Sequence, residues 1–290
     1  MGGFGDHHPS AVAVYFLAVA GMAMFCMDPV ILALSLLGAV ACCLVHGGVR
    51  GLHGHLVTLA LFAVMALINP LISHNGVTVL FVLNHNPITL EALLYGVAAA
   101  AMIVAVLYWF RTFTAIMTSD KLLCLFGALS PGLALVLSMA LRYVPLFSRQ
   151  TRRVSQAQKA LGLYREDSVI DTLRGKLRVF SVMITWALEN GITTADSMTA
   201  RGYGLGRRSR FTVFRWRWGD AALLGVSILL AALTLWGTAD RTVTYYPAMT
   251  LSPVTLRALT GYVAYGLLAC WPLIIQVKEA IRWRCLTSNI

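Results

Sequence analysis

One arginine lies between two residues with almost no side chain, in Ala200-Arg201-Gly202. Small neighbours allow a partner surface to approach the backbone closely, while the guanidinium group projects alone into that surface. The planar fork of arginine can pair with a carboxylate through two parallel hydrogen bonds. The pattern therefore predicts recognition of an acidic protein surface. The alternative to this recognition role is a purely structural one, in which a solvated arginine ends a helix, because a cation is also favourable at a helix C-terminus.

The remaining reactive residues form no catalytic pattern. No GxxxxGK[ST] phosphate-binding motif occurs, so we do not expect this chain to hydrolyse ATP. Six cysteines lie mostly in apolar runs, and the adjacent His7 and His8 lack the spacing of metal ligands. We therefore expect no catalytic residue, no metal site and no cofactor in this chain.

Composition indicates a polytopic membrane protein. The 290 residues are 58% hydrophobic and 12% charged, with a mean hydropathy of +0.74, whereas about 25% of residues are charged in a soluble domain. A soluble enzyme, a disordered chain and a secreted disulfide scaffold are thereby excluded.

Six apolar runs are long enough to span a bilayer core, which takes roughly 17–25 residues. They are Ala11–Met27, Pro29–Val45, Leu56–Ile72, Ala92–Phe110, Ala221–Gly237 and Ala258–Val277. Between the third and fourth runs, turn signals flank Val77–Leu83, which predicts a short strand in a small hairpin. None of the six runs contains an Asp, Glu, Lys or Arg, although ion-coupled carriers usually carry one there.

The basic residues are concentrated in one internal block. Residues 111–217 contain 17 Lys and Arg and 6 Asp and Glu, so the whole net charge of +11 lies there. If the N-terminus is cytoplasmic, this block and the Lys and Arg after the last span fall on the cytoplasmic side, as the positive-inside rule requires. This predicts a plasma-membrane protein with both termini in the cytoplasm. A nucleic-acid partner is not expected.

The basic block is predicted to be helical. Ser130-Pro131-Gly132 divides the uncharged run 122–141 into two short embedded helices, with an additional span as the alternative. Tyr143–Gly162 forms a further helix, and Leu173–Glu189 forms one that ends at Asn190-Gly191. Thr193 and Asp196 resemble a capping box that begins a short helix ending at Arg201.

These elements predict an all-α polytopic membrane protein with about six transmembrane helices and an interfacial or cytoplasmic set of helices. We expect three regions: residues 1–110 with four spans, residues 111–218 with the basic helices, and residues 219–290 with two spans.

At this point the chain resembles the EcfT/CbiQ family, the transmembrane coupling components of energy-coupling factor transporters. Ala200-Arg201-Gly202, with Tyr203 after it, is similar to the second of the two family motifs. Leu141–Pro145, which contains Arg142 and Pro145, matches the lead-in to the first motif. Ser155–Gly162 then matches that motif, except that Leu161 occupies the position at which the family usually has arginine.

The resemblance implies a non-catalytic subunit of an ATP-driven importer of micronutrients, either vitamins or metal ions. Its partners would be two ABC-type ATPases, which bind the ATP, and a membrane-embedded substrate-binding S component. The two motifs would lie on coupling helices that dock into the ATPases. The residues carried over to docking are Gln158, Lys159, Ala160, Leu161, Gly162, Ala200, Arg201 and Gly202.

Five further residues are predicted to support docking: Arg142, Pro145, Arg152, Arg153 and Asp196. Because Leu161 carries no charge, Lys159, Arg152 or Arg153 is the candidate cation near the first motif, and an apolar contact is the alternative. Two other functions are retained as alternatives, namely an intramembrane enzyme acting on phosphorylated lipids and a secondary transporter. The sequence does not indicate the transported substrate.

Overall fold

A computed structural model describes residues 4–47, 52–73, 76–83, 86–162, 169–205 and 214–287 of the chain. The chain forms two compact units. The core unit comprises Met1–Leu122 and Phe214–Ile290, and the paired-helix unit comprises Leu123–Val213. The three-region division at residues 110 and 218 stays a prediction.

The described residues are almost entirely helical. After a 3₁₀ turn at Phe4–Asp6, the helices are α1 Pro9–Phe25, α2 Pro29–Gly47, α3 Leu52–Ile72, α4 Leu90–Ile116, α5 Ser119–Leu129, α6 Pro131–Ala160, α7 Val169–Ala200, α8 Trp218–Thr238 and α9 Leu256–Thr287. The strands are β1 Val79–Leu83, β2 Asn86–Thr89, β3 Val243–Thr244 and β4 Thr250–Leu251. The predicted all-α membrane fold is confirmed.

Each of the six predicted apolar runs forms one helix of the core unit: α1, α2, α3, α4, α8 and α9. Within the described residues, α3, α4, α8 and α9 are long and apolar enough to cross a membrane, while α1 and α2 are shorter apolar helices. The segment Gly132–Ala160 of α6 also meets the criteria of length and composition. The alternative of an additional span therefore stays open for α6.

Small residues set the distances between the helices of the core unit. A Cβ atom added to Gly237 of α8 would lie 2.7 Å from the Cα of Gly261 in α9, and one added to Gly38 would lie 2.8 Å from the Cβ of Ala269. Close approach of this kind is how apolar helices gain packing energy in a bilayer, where lipid tails are as apolar as leucine.

Aromatic side chains fill the centre of the bundle. Trp109 is fully buried and donates from Nε1 to the Oγ of Ser35 at 3.1 Å. Tyr15 is also fully buried and donates its hydroxyl to the carbonyl of Leu268 at 2.9 Å. Both rings contact Phe16 edge-on. The polar atoms of the two large side chains are thus satisfied by neighbouring helices, as an apolar core requires.

Two small antiparallel hairpins connect the spans. The predicted hairpin is confirmed, since Val79 pairs with Thr89 and Leu83 with Asn86. Thr89 then caps α4 by accepting from the N–H of Ala92 at 3.4 Å. The second hairpin pairs β3 with β4 and was not expected from the sequence.

The bounds of α6 and α7, the two long helices of the paired-helix unit, differ from the helix bounds predicted from the sequence. The break at Ser130 is confirmed, but the second half of 122–141 is not a short helix, because α6 runs without interruption from Pro131 to Ala160. The prediction that a helix ends at Asn190-Gly191 and another begins near Thr193 is wrong, because α7 continues to Ala200.

Side-chain bonding explains why α7 continues past Asn190-Gly191. Asn190 donates from Nδ2 to the carbonyl of Trp186, Thr193 donates to Glu189, and Thr194 donates to Asn190. Each of these side chains bonds to the backbone four residues earlier instead of capping a new helix. Thr193 and Asp196 therefore form no capping box.

A buried ion pair connects the α1–α2 turn to the segment between α8 and α9. Asp28 and Arg241 are 5% and 6% exposed, and Arg241 Nε lies 3.2 Å from Asp28 Oδ2. Asp28 also accepts from the hydroxyl of Tyr262 at 2.5 Å and from the N–H of Val30 at 3.0 Å. Both carboxylate oxygens thus accept hydrogen bonds, which offsets part of the cost of burying the charge.

We predict that Asp28→Asn lowers the free energy of unfolding by about 3–5 kcal/mol, because it leaves the buried Arg241 guanidinium without a counter-charge. Reversible unfolding in mixed detergent micelles measures this change. Asp240→Asn is the matched control: Asp240 is 71% exposed and pairs with Arg257, so its loss should cost less than about 1 kcal/mol. Equal losses in the two variants would contradict the prediction.

Candidate functional site

The C-terminus of α7 holds Arg201 in a defined geometry. Gly202 has φ +77°, its N–H donates to the carbonyl of Thr199 at 2.9 Å, and the N–H of Tyr203 donates to Met198 at 3.0 Å. These two bonds define a Schellman motif. Ala200 is therefore the last helical residue, Arg201 is the C-cap, and Gly202 supplies the left-handed conformation that ends the helix.

The C-terminus of α6 has the same arrangement at its C-cap and at the glycine that follows. Gly162 has φ +69°, and its N–H donates to the carbonyl of Lys159 at 3.0 Å. Ala160 is the last helical residue, and Leu161 is the C-cap. Leu161 thus occupies the position in α6 that Arg201 occupies in α7, so the two sequence motifs correspond residue by residue in backbone structure.

Both C-cap side chains are open to the surroundings. Leu161 is 72% exposed, and Arg201 is exposed without a salt bridge to any residue in the described ranges. Ala160 and Ala200 are exposed as well. Each helix end therefore presents one accessible side chain beside a neighbour that adds little bulk.

The two helices run antiparallel. Tyr143 on α6 contacts Thr194 on α7 through their hydroxyls at 2.9 Å, and Phe147 lies edge-on to Trp186 with ring centroids 5.5 Å apart. As the chain advances along α6, its contacts on α7 move toward lower residue numbers. Extending this register at 1.5 Å per residue places the two C-termini about 40 Å apart, at opposite ends of the pair.

A groove between α6 and α7 was missed by sequence reasoning. It has a volume of about 630 Å³ and is lined by Phe147, Thr151, Ser155, Lys176, Val179, Phe180, Met183, Ile184 and Ala187. The signal was present, because Phe147, Thr151 and Ser155 recur every four residues, as do Val179, Met183 and Ala187. Spacing of four residues places side chains on one helix face, and those two faces meet in the groove.

The supporting residues occupy different parts of the unit. Arg142, Pro145, Arg152 and Arg153 are exposed on α6. Arg152 lies nine residues before Leu161, about 13 Å along the helix axis, so Lys159 is the one cation in the last turn of α6. Gln158 is buried, at 8% exposure. Asp196 is exposed on α7, and its carbonyl accepts from the hydroxyl of Thr199.

The candidate metal residues do not converge. In the described part of the chain, no three His, Cys, Asp or Glu side chains are placed to hold a metal ion. His7 instead lies 2.7 Å from Asp220, and His8 accepts from Ser10 and stacks on Trp216. Burial lowers the pKa of His8, while the Asp220 charge opposes the shift. The Nδ1 atom of this ring caps α1 by accepting from the N–H of Ser10 at 3.4 Å.

The fold and these two capped ends define a multi-pass membrane protein that displays an antiparallel pair of helices with accessible C-termini. The chain belongs to the CbiQ family: the family model described as "Cobalt transport protein" matches residues 7–213. The match includes both helix ends and most of the core unit.

Several curated relatives are similar over part of the chain, and each is named an energy-coupling factor transporter transmembrane protein EcfT. One from Listeria monocytogenes is 32% identical over 102 residues, which are 34% of this chain and 38% of the relative. One from Listeria innocua is 33% identical over 106 residues, 36% of this chain and 40% of the relative. The chain thus matches about two fifths of the length of these relatives.

We predict opposite effects for the same substitution at two glycines, one that follows the end of α7 and one inside α7. Gly202→Ala forces alanine into a left-handed conformation at a cost of about 1–2 kcal/mol, while an added Cβ meets only Leu205, at an ordinary 3.5 Å. Hydrogen exchange at Tyr203 should therefore become faster.

Gly191→Ala is the matched control, since a Cβ there meets no atom within 4 Å. Alanine is favoured over glycine inside a helix by up to about 1 kcal/mol, so exchange around residue 191 should slow. If exchange at Tyr203 were unchanged in Gly202→Ala, the glycine cap would not be what ends α7.

Proposed function

We propose that this chain is the transmembrane coupling subunit of an energy-coupling factor importer. In this role, α6 and α7 are the coupling helices, and their C-termini dock into two ABC-type ATPase subunits. The core unit contacts a membrane-embedded S component, which binds the transported micronutrient. The chain itself binds no ATP and catalyses no reaction.

One observation carries the proposal: the two motif sites have the same helix-capping geometry at opposite ends of one antiparallel pair. Each site offers an exposed C-cap side chain next to alanine and glycine. Two equivalent ends about 40 Å apart suit a partner with two separate sockets, as a pair of ATPase subunits provides. Membership of the CbiQ family supports the same role.

Electrostatics supports docking of Arg201 into an acidic socket. The last carbonyls of a helix carry a partial negative charge, and Arg201, as the exposed C-cap residue, carries its positive charge at that end of α7. The positive charge of Arg201 offsets the negative charge of these carbonyls, so an acidic group on the partner can approach and pair with the guanidinium group. The +11 charge of residues 111–217 also favours approach of an acidic surface.

The first site uses a different contact. Leu161 has no charge, and Lys159 lies two residues before it in the last turn of α6. We propose that Leu161 packs against the partner while Lys159 supplies the positive charge of that end. Two sockets of different character, and hence two non-identical ATPases, fit this arrangement.

The membrane orientation belongs to the same proposal. If the N-terminus is cytoplasmic, Arg241 and Arg257 fall on the outer side, and they are paired with Asp28 and Asp240. The surplus positive charge then lies on the cytoplasmic side, where the ATPases are. We propose that both termini are cytoplasmic and that the protein resides in the plasma membrane.

We predict that Arg201→Glu abolishes uptake because the ATPases no longer bind. Removing one member of a desolvated charge pair costs about 2–5 kcal/mol, and reversing the sign adds repulsion. Affinity purification of the complex from membranes, followed by identification of the co-purifying chains, measures the loss.

Arg149→Glu is the matched control for Arg201→Glu. It makes the same charge change on an exposed residue of α6, but far from either helix end. Assembly and uptake should persist in this variant. Normal co-purification of the ATPases with Arg201→Glu would overturn the docking role of Arg201.

We predict that Leu161→Arg retains assembly, whereas Leu161→Glu loses it. A cation is favourable at a helix C-terminus and an anion is not, and the partner surface must already accommodate Lys159. The same purification, comparing the amounts of the two ATPases recovered, tests this. Loss of one ATPase with Leu161→Arg would show instead that this socket accepts only an apolar side chain.

A further inference from the structure

A short N-terminal segment is held firmly against the core unit. The segment runs from Phe4 to His8, immediately before α1. Phe4 is 1% exposed and packs edge-on against Tyr15 and Phe16, with ring centroids 5.3 and 6.2 Å apart. Phe4 therefore anchors the segment on the first apolar helix.

The segment contacts the place where the chain leaves the core unit. The carbonyl of Gly5 accepts a hydrogen bond from the Nζ of Lys121. The same ammonium group donates to the carbonyl of Ile116, the last residue of α4, at 3.0 Å. Lys121 lies in the first turn of α5, one residue before the core unit ends at Leu122. One side chain thus ties α4, α5 and the N-terminal segment together.

The segment also contacts the place where the chain returns. His7 Nδ1 lies 2.7 Å from Asp220 Oδ1, and the N–H of His8 donates to the same oxygen at 3.0 Å. The other oxygen of Asp220 accepts from the N–H of Arg217 at 2.9 Å. The ring of His8 stacks on Trp216 with centroids 4.7 Å apart, close to the boundary at Phe214.

We infer that Phe4–His8 is a clasp that joins both junctions through which the core unit continues into α6 and α7. Its positioning residues are Phe4, which anchors it, Lys121, which donates to the carbonyl of Gly5, and the contacting pair His7 and Asp220. The role of the clasp rests on the proposed function. A displacement of the coupling helices is transmitted to the spans only if the two junctions that attach the coupling helices to the core unit are fixed. Without the clasp, the same displacement is absorbed at the junctions.

Hydrogen exchange on the full-length chain, purified alone in lipid nanodiscs, tests the clasp without any partner. His7→Phe keeps an aromatic ring but removes the contact with Asp220, and Lys121→Met removes the ammonium group. We expect each variant to speed exchange in both residues 116–122 and residues 214–220. His53→Phe and Lys278→Met make the same changes at exposed positions of α3 and α9 and should leave both segments unchanged.

Exchange that rises only at the mutated junction, or at neither junction, would overturn the clasp. That decision does not depend on the ATPases. If the unaltered chain failed to co-purify with ATPases, the proposed function would fall while the exchange result would still decide whether the junctions are joined.

Uptake and ATP hydrolysis by the reconstituted complex test the role of the clasp in coupling. We expect the clasp variants to assemble and to hydrolyse ATP at rates near that of the unaltered complex, while uptake per ATP falls by about tenfold, a typical size for coupling between sites. Unchanged uptake per ATP, or a parallel loss of uptake, hydrolysis and assembly, would show that these residues serve stability alone.

Discussion

The cost of placing charge in an apolar medium governs this structure. The helices of the core unit keep ionised groups near their ends, where the buried carboxylates accept hydrogen bonds or form ion pairs. Asp28 and Arg241 are both nearly inaccessible and bond each other across 213 residues of sequence. Asp220, at the start of α8, is surrounded by donors from His7, His8 and Arg217. The net positive charge that remains is carried by residues 111–217, whose Arg201 is accessible to a partner.

The elements that this cost controls could be predicted from the sequence. An uncharged run of sufficient length can only be a helix in a bilayer, because backbone polar groups must be satisfied within the segment. All six runs in the core unit accordingly form helices. The hairpin around Val79–Leu83 could also be predicted from the sequence, because its turn residues act locally. The pairing of Asp28 with Arg241 could not be predicted, since it depends on how distant helices pack.

Local sequence signals predicted one helix end inside α7, which is wrong, and one at the end of α7, which is correct. Asn190-Gly191 is a common helix end, yet Asn190 bonds back to Trp186 and the helix continues along α6, where Thr194 meets Tyr143. At Gly202 the positive φ ends the helix, as its sequence suggests. The motif around Arg201 was therefore visible in the sequence. Its equivalence in cap geometry to Leu161, and the separation of the two ends, required the fold.

The contact between Gly237 and Gly261 has a consequence for the flexibility of the bundle. Here two backbones touch without side chains, so the contact freezes no rotamers and carries none of the side-chain entropy cost that accompanies a leucine or methionine interface. Its geometry cannot adapt by a change of rotamer either. If α8 slid along α9, a residue with a side chain would take the place of one of these glycines, and the gap has no room for a Cβ atom. The two helices closest to the C-terminus thus share a fixed register, and any rearrangement of the core unit must move them together.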